Sequence, residues 1–327
     1  MFEFMQENKK IIWQWLEYLS DPDPSKISTQ LNKYYHEDTI WNGPLPIDTL
    51  LGCSALLKQV WRPLFESFPD LQRRTDIFFS GKFNDKDWLC STGYYLGTFK
   101  KDWLSIPANH KPVYIRYGEF VHVLDSKIKE SFVILDILDV MRQAGIRPIA
   151  TNLGIEGIVP DPASHDGLLL AQQDAKESAK SLQLVEDMLA QLNTPDHAWA
   201  PYWHPNMMWY GPSGIGTTRG IDGFTKFHND PWDNAFTDWK GGHHYARIAE
   251  GKFVASGGWP SIYATHSGNG LFGTTATGKK VEIRVMDWWI REGNLLTENW
   301  VFIDIPDFLR QIGIDVFQRM RQQLAIG

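Results

Sequence analysis

The chain has 327 residues, of which 43% are hydrophobic, and it carries a formal net charge of −7 with a pI near 5.8. This length favours two domains with ordinary cores, and the acidic charge argues against nucleic-acid binding, which requires a basic surface. No apolar run approaches the length of a membrane span, and the amphipathic residues 1–19 lack the apolar stretch of a secretion signal. The two cysteines, Cys53 and Cys90, provide no disulfide framework, so we predict a cytoplasmic protein with no membrane association.

The sequence repeats itself at a constant offset of 168 residues. Residues 34–44 (YYHEDTIWNGP) return as residues 202–212 (YWHPNMMWYGP). Residues 132–146 return as residues 300–314, with identical residues at 8 of 15 positions. Unrelated segments would agree at roughly one position in fifteen at average composition. A repeat of this length is a whole domain, so the chain is a tandem duplication.

The duplication predicts a first domain over residues 1–146, an interdomain linker over residues 147–167 and a second domain over residues 168–327. The linker segment is rich in glycine and proline and shows no hydrophobic period. Nine of the fifteen tryptophans lie in the second domain, so we expect an unusually aromatic interior there. The function therefore depends on which copy retains its chemistry.

The predicted elements follow the same order in both copies. Each copy opens with a helical apolar period and continues with the aromatic block, which ends in a Gly-Pro turn. A second helix is predicted over residues 52–68 and again over residues 220–236, with Pro63 and Pro231 expected to break or kink it. The later part of each copy is predicted as strands, such as residues 281–290, followed by a short helix. This order predicts an α+β fold in which helices cover one face of a curved sheet.

An Asp-x-x-Asp motif followed by Arg-Gln-x-Gly occurs near the end of each copy. The acidic residues are Asp136 and Asp139 in the first copy, and Asp304 and Asp307 in the second. An aspartate before a short helix accepts hydrogen bonds from the first free N–H groups, and a second acid favours the positive end of the helix. We therefore interpret these carboxylates as helix caps rather than catalytic groups.

Arg116 and Arg284 occupy equivalent positions on predicted strands. One interpretation is a salt bridge with a neighbouring acid. The alternative is a pocket cation that stabilises an anionic or enolate oxygen. Because side chains alternate along a strand, Arg284 shares a face with Met286 and Trp288, whereas Asp287 lies on the other face.

A Thr-His-x-Gly motif at residues 265–268 is present only in the second copy, since Thr98 stands where His266 would be expected in the first. Histidine is the side chain best suited to carry protons near neutral pH. His266 is thus the leading catalytic candidate, with Arg284 stabilising negative charge and Asp287 contributing if its strand turns it inward. A His266 that is only hydrogen-bonded is the alternative.

The second domain, residues 168–327, contains six histidines, but their spacing does not favour a metal site. Zinc sites on helices use H-x-x-x-H or H-E-x-x-H spacing, which is absent from the sequence. His243 and His244 would point to opposite faces of a strand. We therefore predict no metal and no cofactor. The six residues are His197, His204, His228, His243, His244 and His266.

Aromatic and apolar residues of the second copy are candidates for the wall of a small-molecule pocket. Such residues form the core in most proteins, but in a fold with an internal cavity the core-facing aromatics also line that cavity. The predicted substrate-binding residues are Trp209, Tyr210, His228, Trp232, Tyr263, Met286 and Trp288.

The histidine motif, the Thr-Gly-Lys before the arginine-bearing strand, and the closing residues 291–304 and 309–313 resemble the SnoaL-like polyketide cyclase family. The resemblance covers most of residues 180–315 and, more weakly, residues 15–147, where the histidine motif is lost. It implies two cone-shaped α+β domains, each with a strongly curved antiparallel sheet wrapped around helices. This is the cystatin-like fold of nuclear transport factor 2 and ketosteroid isomerase.

The resemblance also implies site residues and an arrangement of the two copies. In the cyclases of the family, an aspartate near the end of the last long strand is the acid/base for an intramolecular aldol closure. Here that position holds Val301, and Val133 in the first copy. His266 matches the histidine of the family motif, and Arg284 falls on a pocket-facing strand position. Because family dimers pack sheet against sheet, the tandem chain is expected to form an intramolecular pseudo-dimer, with further homo-oligomerisation left open.

Two classes of function are consistent with these features. The first is a cofactor-independent cyclase, isomerase or hydrolase that acts on a small hydrophobic molecule by acid/base catalysis in the second domain. The second is a binding protein that holds such a molecule without chemistry. The presence of His266 favours the enzyme, whereas Val301 at the position of the family aspartate favours the binding protein. A first copy that serves only as a built-in dimer partner is consistent with either class.

Overall fold

A computed structural model describes residues 2–194 and 197–326 of the chain. The chain forms two compact units. The first domain comprises Met1–Ile146 and Asp161–Gln172, and the second comprises Arg147–Pro160 and Gln173–Gly327. The segment predicted as a linker is therefore divided at Pro160, and each part packs into a domain. Within the described residues, no helix has the length and hydropathy needed to cross a lipid bilayer.

The first domain is an open six-stranded sheet with helices on one face. The order of its strands is β2-β1-β6-β5-β4-β3, and every pair is antiparallel except β1 with β6, which is parallel. The sheet is thus mixed, which corrects the expected all-antiparallel arrangement. The helices are α1 (Phe2–Ser20), α2 (Ile27–Tyr34), α3 (Gly52–Leu56), α4 (Arg62–Ser67) and α5 (Ile137–Gln143). The strands are β1 (Tyr35–Asn42), β2 (Thr49–Leu51), β3 (Gln72–Phe83), β4 (Lys86–Thr98), β5 (Pro112–Leu124) and β6 (Lys127–Leu135).

The second domain repeats this architecture. Its strand order is β10-β11-β12-β13-β7-β8, the small strand β9 pairs with β11, and β13 with β7 is the parallel pair. The helices are α6 (Ala175–Leu189), α7 (Gly220–Phe224), α8 (Asp230–Ala235), α9 (Ile305–Gln311) and α10 (Val316–Ile326). The strands are β7 (Trp203–Tyr210), β8 (Thr217–Arg219), β9 (Lys240–Gly241), β10 (His244–Glu250), β11 (Phe253–Thr265), β12 (Lys280–Glu292) and β13 (Leu295–Ile303).

The second predicted helix of each copy is continuous but contains a π-helical turn. This turn spans Leu57–Trp61 between α3 and α4, and Thr225–Asn229 between α7 and α8. Pro63 and Pro231 lie in the first turn of the helical segment that follows. Proline lacks a backbone N–H, so the chain continues past it only where the hydrogen-bond register changes. Each helix therefore continues past its proline, and the π-helical turn widens it locally instead of breaking it.

The Asp-x-x-Asp motifs are helix caps, as predicted. The Asp136 side chain accepts a hydrogen bond from the Asp139 N–H over 3.2 Å, and the Asp304 side chain accepts from the Asp307 N–H over 3.3 Å. Arg284 Nη1 lies 3.0 Å from Asp304 Oδ2 and Nε lies 3.6 Å from Asp307 Oδ2. The salt-bridge interpretation of Arg284 is therefore confirmed, and the arginine fixes α9 against the end of the sheet.

Strand alternation divides the second sheet into two faces. Trp209 of β7 packs on Phe224 and His228 of the helix formed by α7, the π-helical turn and α8, here called the π-turn helix. The face of the sheet that carries Trp209 is therefore the one that helices cover, here called the inner face. Asn299 of β13 lies beside Trp209 in the parallel register. Asp287 of β12 lies opposite Val301 of β13, two residues after Asn299, and therefore belongs to the inner face.

The equivalent position in the first domain is Glu119, which lies opposite Val133 on β6. Its carboxylate is paired with Arg73 Nη2 at 2.7 Å, and the two side chains are almost completely buried. Arg73 also donates to the hydroxyls of Tyr117 (3.1 Å) and Tyr95 (2.9 Å). The first domain thus buries its inner-face carboxylate within a hydrogen-bonded ion pair.

We expect Arg73→Met to destabilise the protein by about 3–5 kcal/mol, because it leaves Glu119 charged and unpaired inside the core. Arg73→Met/Glu119→Leu should recover most of that loss, since the double variant contains no unpaired charge. Urea denaturation gives the free energies of unfolding. Arg74→Met is the matched control, because Arg74 is exposed and bonds Gln72. Equal effects of Arg73→Met and Arg74→Met would contradict this account.

Candidate active site

The inner face of the second sheet carries a row of polar side chains. Asp287 lies opposite Ser256 of β11 on one side and Val301 on the other. Arg247 of β10 lies opposite Ser256 and donates to its Oγ over 3.3 Å. Asn299 Nδ2 donates to Asp287 Oδ1 over 3.4 Å. The row therefore places one carboxylate between an amide and, beyond Ser256, a guanidinium.

Asp287 is half-buried and is held less strongly than its counterpart in the first domain. Burial raises the pKa of Asp287 to about 7, and the hydrogen bond from Asn299 and the charge of Arg247 offset only part of this effect. The carboxylate of Asp287 lies 3.4 Å from the amide nitrogen of Asn299, whereas the carboxylate of Glu119 lies 2.7 Å from the guanidinium of Arg73. A carboxyl group with a pKa near 7 can both accept and return a proton at neutral pH.

His228 lies in the π-helical turn and faces the inner side of the sheet. Its ring stacks on Trp209, with ring centroids 4.0 Å apart and an interplanar angle of 19°, and its edge meets Phe224. Burial lowers the pKa of His228 to about 3, so the imidazole is neutral at physiological pH. Its Nδ1 atom is buried and has no hydrogen-bond partner among the described residues. Because Trp209 lies beside Asn299, His228 and Asp287 belong to one continuous surface.

A cavity of about 280 Å³ opens next to His228 within the second domain. Four segments form its wall: part of the segment predicted as a linker, the turn after β7, the π-turn helix and the loop that follows β11. The wall is largely apolar, with a few polar groups. The side chains that line it include Thr151, Leu153, Ile215, Phe227, His228, Asn234, Asn269, Leu271 and Phe272.

The structure places His266 behind this cavity rather than in its lining. The side chain is fully buried, Nδ1 lies 3.2 Å from Thr277 Oγ1, and Nε2 lies 3.1 Å from Thr274 Oγ1. Its ring packs on Phe236 and Phe308. With both ring nitrogens engaged, His266 holds the loop 266–279 in place and so supports the cavity wall. This geometry corresponds to the hydrogen-bonded alternative for the Thr-His-x-Gly motif.

The remaining predicted residues fall into two groups. Trp209, His228 and Trp232 lie on the inner face of the sheet or in the π-turn helix that covers it, with the centroids of the His228 and Trp232 rings 5.7 Å apart. The others lie on the opposite face by strand alternation and register, which corrects the expectation that they share one pocket. That second group comprises Tyr210, Tyr263, Arg284, Met286 and Trp288. Tyr210 donates to Glu298 Oε1 over 2.8 Å and Arg284 stacks on Trp259, so these side chains have structural partners.

Within the part of the chain that the structure describes, no group of three or more His, Cys, Asp or Glu side chains is arranged to hold a metal ion. His244 forms a hydrogen bond with Ser261 over 3.1 Å, and His204 Nδ1 accepts from the Asn206 N–H. The candidate site therefore consists of the inner-face row and of the cavity, which are linked through the Trp209–His228 stack. Asp287, Asn299 and Arg247 are not among the residues that line the cavity.

Family comparison connects this site to known proteins. Residues 17–144 match the model of the SnoaL-like polyketide cyclase, and residues 185–299 match that of the SnoaL-like domain. The chain belongs to the SnoaL-like polyketide cyclase family. It carries two copies of the family domain in tandem. Among curated proteins, none matches this family member by sequence.

Several solved structures match part of the chain. IdmH of Streptomyces antibioticus is 17% identical and covers 42% of this chain and 99% of its own, with a TM-score of 0.36. A SnoaL-like polyketide cyclase of Agrobacterium tumefaciens is 20% identical, covers 42% and 96%, and gives a TM-score of 0.33. An NTF2-like protein of Burkholderia xenovorans is 16% identical, covers 42% and 98%, and gives 0.34.

Sequence reasoning missed Asn299 and Arg247 in this family member. Neither residue belongs to a recognisable motif, and both reach Asp287 only through strand pairing. One signal was available: Glu119 and Asp287 are separated by the repeat offset of 168 residues, so an acid occurs at this position in both copies. The repeat therefore pointed to Asp287, which the sequence motifs favoured less than His266.

The lowered pKa of His228 predicts a pH effect on stability. The unfolded chain binds a proton at His228 below pH 6.5 while the folded chain does not, so this contribution is complete above pH 6.5 and is lost as the pH falls towards 3. His228→Phe should therefore gain stability relative to wild type, by at most about 2 kcal/mol, between pH 7 and pH 5. Urea denaturation at both pH values measures this difference, with exposed His204→Gln as the baseline. A His228→Phe difference that does not change with pH would contradict the assignment.

Proposed function

We propose that the second domain is a cofactor-independent acid/base enzyme that acts on a small, neutral, largely apolar molecule. Asp287 is the proton carrier in this proposal. The observation that supports this proposal most strongly is a half-buried carboxyl group on the inner face whose pKa is raised to about 7. General bases are most effective when their pKa lies near the working pH. Proton transfer to and from carbon, as in isomerisation or aldol-type cyclisation, is the reaction class that such a group serves.

The position of Asp287 compensates for the valine at the family's catalytic position. Val301 lies directly opposite Asp287 across β12 and β13, and both side chains face inward. Side chains opposite each other on neighbouring strands have Cβ atoms only about 4.5–5.5 Å apart. A carboxylate on β12 therefore serves nearly the same part of the interior as one on β13. This geometry supports an acid/base role for Asp287 despite the valine at position 301.

Asn299 and His228 are assigned supporting roles. The Asn299 amide orients the Asp287 carboxylate and stabilises its charged form through the 3.4 Å hydrogen bond. His228 is neutral, so it offers the substrate a hydrogen bond without adding charge to the pocket. Arg247 lowers the pKa of Asp287 electrostatically and keeps part of the carboxyl population ionised. None of these roles requires a metal or cofactor.

A non-catalytic binding protein is the second candidate function. The cavity of about 280 Å³, whose wall includes Phe227, His228 and Phe272, favours it, because such a wall suits an apolar ligand whether or not chemistry follows. Binding alone, however, gives no reason to keep a carboxyl group half-buried with an amide as its nearest partner, since burying such a group lowers stability.

The test is exchange of the α-protons of 2-tetralone, a two-ring ketone, in D₂O followed by NMR. Wild type should accelerate this exchange, with a rate that rises through pH 7 as Asp287 ionises. Asp287→Asn should lower the enzyme-dependent rate by about 10²–10⁴-fold while leaving the dissociation constant of 2-tetralone nearly unchanged.

Two further variants sharpen this test. Asp222→Asn makes the same chemical change at an exposed residue of α7 and should retain full exchange. His266→Gln should retain exchange per folded molecule even though it destabilises the loop 266–279. Loss of exchange in His266→Gln but not in Asp287→Asn would overturn the assignment of the proton carrier. Binding of 2-tetralone by wild type with no exchange would favour the binding protein.

A further inference from the structure

The interdomain segment Arg147–Pro160, here called the strap, lies between the two regions that match the family models and belongs to neither. Its sequence predicts an irregular linker. In the structure, Ala150, Thr151 and Leu153 of the strap line the cavity beside His228. The second domain's cavity is thus bounded partly by residues that the repeated domain does not contain.

The strap is held to the second domain along its length. It pairs with the edge strand β8 through reciprocal hydrogen bonds of 2.8 Å between Ile155 and Thr217. Asn152 Oδ1 accepts from the Gly214 N–H over 2.8 Å. Further along, Trp300 Nε1 donates to the Pro160 carbonyl over 2.9 Å. The cavity-lining part of the strap therefore has fixed partners on its own domain.

Two glycines permit this close approach. A Cβ atom at Gly154 would lie 2.6 Å from the Thr217 carbonyl oxygen. A Cβ atom at Gly216, whose φ is +87°, would lie 2.8 Å from the Gly154 carbonyl carbon. Any larger residue at either position would push the strap away from β8. The local sequence is thus suited to holding Thr151 and Leu153 at one fixed distance from the helix that carries His228.

We infer that the strap is the specificity-determining element of the second domain: Thr151 and Leu153 set the size of the small molecule that the cavity admits. The side chains of Thr151 and Leu153 are exposed at the rim, while the opposite wall is formed by the helix and by loop 269–273. A change in side-chain volume at the rim therefore changes the opening without changing Asp287 or its neighbours. This inference rests on the proposed use of the cavity for ligand binding and does not depend on catalysis.

The experiment uses the full chain and two fluorescent probes of different size, 2-naphthol with two rings and 9-phenanthrol with three. Thr151→Trp and Leu153→Trp should each raise the dissociation constant of 2-naphthol by about tenfold or more, because the indole ring narrows the opening. Leu153→Ala should improve binding of 9-phenanthrol relative to 2-naphthol by about tenfold, because it widens the opening.

Ile158→Trp is the matched control, since Ile158 is an exposed strap residue outside the cavity lining. It should change both dissociation constants less than about twofold, well below the tenfold effect expected for a pocket contact. Equal thermal midpoints across the variants exclude unfolding as the cause. The inference is overturned if Trp at 151 and 153 acts no differently from Trp at 158, or if wild type binds neither probe. The readout is binding alone, whereas the proposed catalysis is read from the exchange of 2-tetralone, so a failure of one remains distinguishable from a failure of the other.

Discussion

Both sheets place a carboxylate at the same point of the inner face, and each domain depends on how that charge is held. Glu119 and Asp287 lie opposite Val133 and Val301, respectively. A charged carboxylate in a protein interior is destabilising by several kcal/mol unless it is paired and hydrogen-bonded. The first domain pairs its acid with Arg73, and the second leaves its acid next to an amide. The two copies therefore share one fold and differ in the partner of the inner-face carboxylate, which is a guanidinium in the first and an amide in the second.

This difference in partner explains why the interiors of the two domains differ in composition. Around Arg73 the first domain needs hydroxyl groups, and Tyr95, Tyr117 and Ser91 provide them. In this network the carboxylate of Glu119 is held in a buried ion pair with the guanidinium. The second domain has Trp209 and His228 stacked beside its acid's row instead. Burial then raises the pKa of Asp287, which is unfavourable for stability and useful for chemistry.

The parts of the fold that local chemistry determines could be predicted from the sequence. The duplication, the order of elements and the helix caps at Asp136 and Asp304 depend on residues close together in the chain, and these predictions are confirmed. The parallel pairing of β1 with β6 joins residues about ninety positions apart, and no local pattern indicates it. His266 posed a different difficulty. Its partners Thr274 and Thr277 were visible in the sequence, but the direction of its ring was not.

The strap shows that a segment without a hydrophobic period can still have fixed partners. Its glycines and prolines predict an interdomain linker, and an edge strand such as β8 has free backbone groups that a neighbouring segment can satisfy. Ile155 does so, and residues after Pro160 do the same for β3, where the Phe78 N–H donates to the Gly167 carbonyl over 2.9 Å. Each part of the segment therefore becomes a component of one domain.

This arrangement separates two properties that a single sheet would otherwise have to satisfy together. The pKa of Asp287 is set by its burial, by Asn299 and by Arg247, at positions where any volume change disturbs the core. The width of the proposed opening is set by exposed strap residues, where volume changes are tolerated. Because the strap lies outside the duplicated unit, the proposed ligand preference can change while Asp287 and its neighbours stay the same. In a tandem chain, the sequence between the copies is therefore where selectivity is most readily altered.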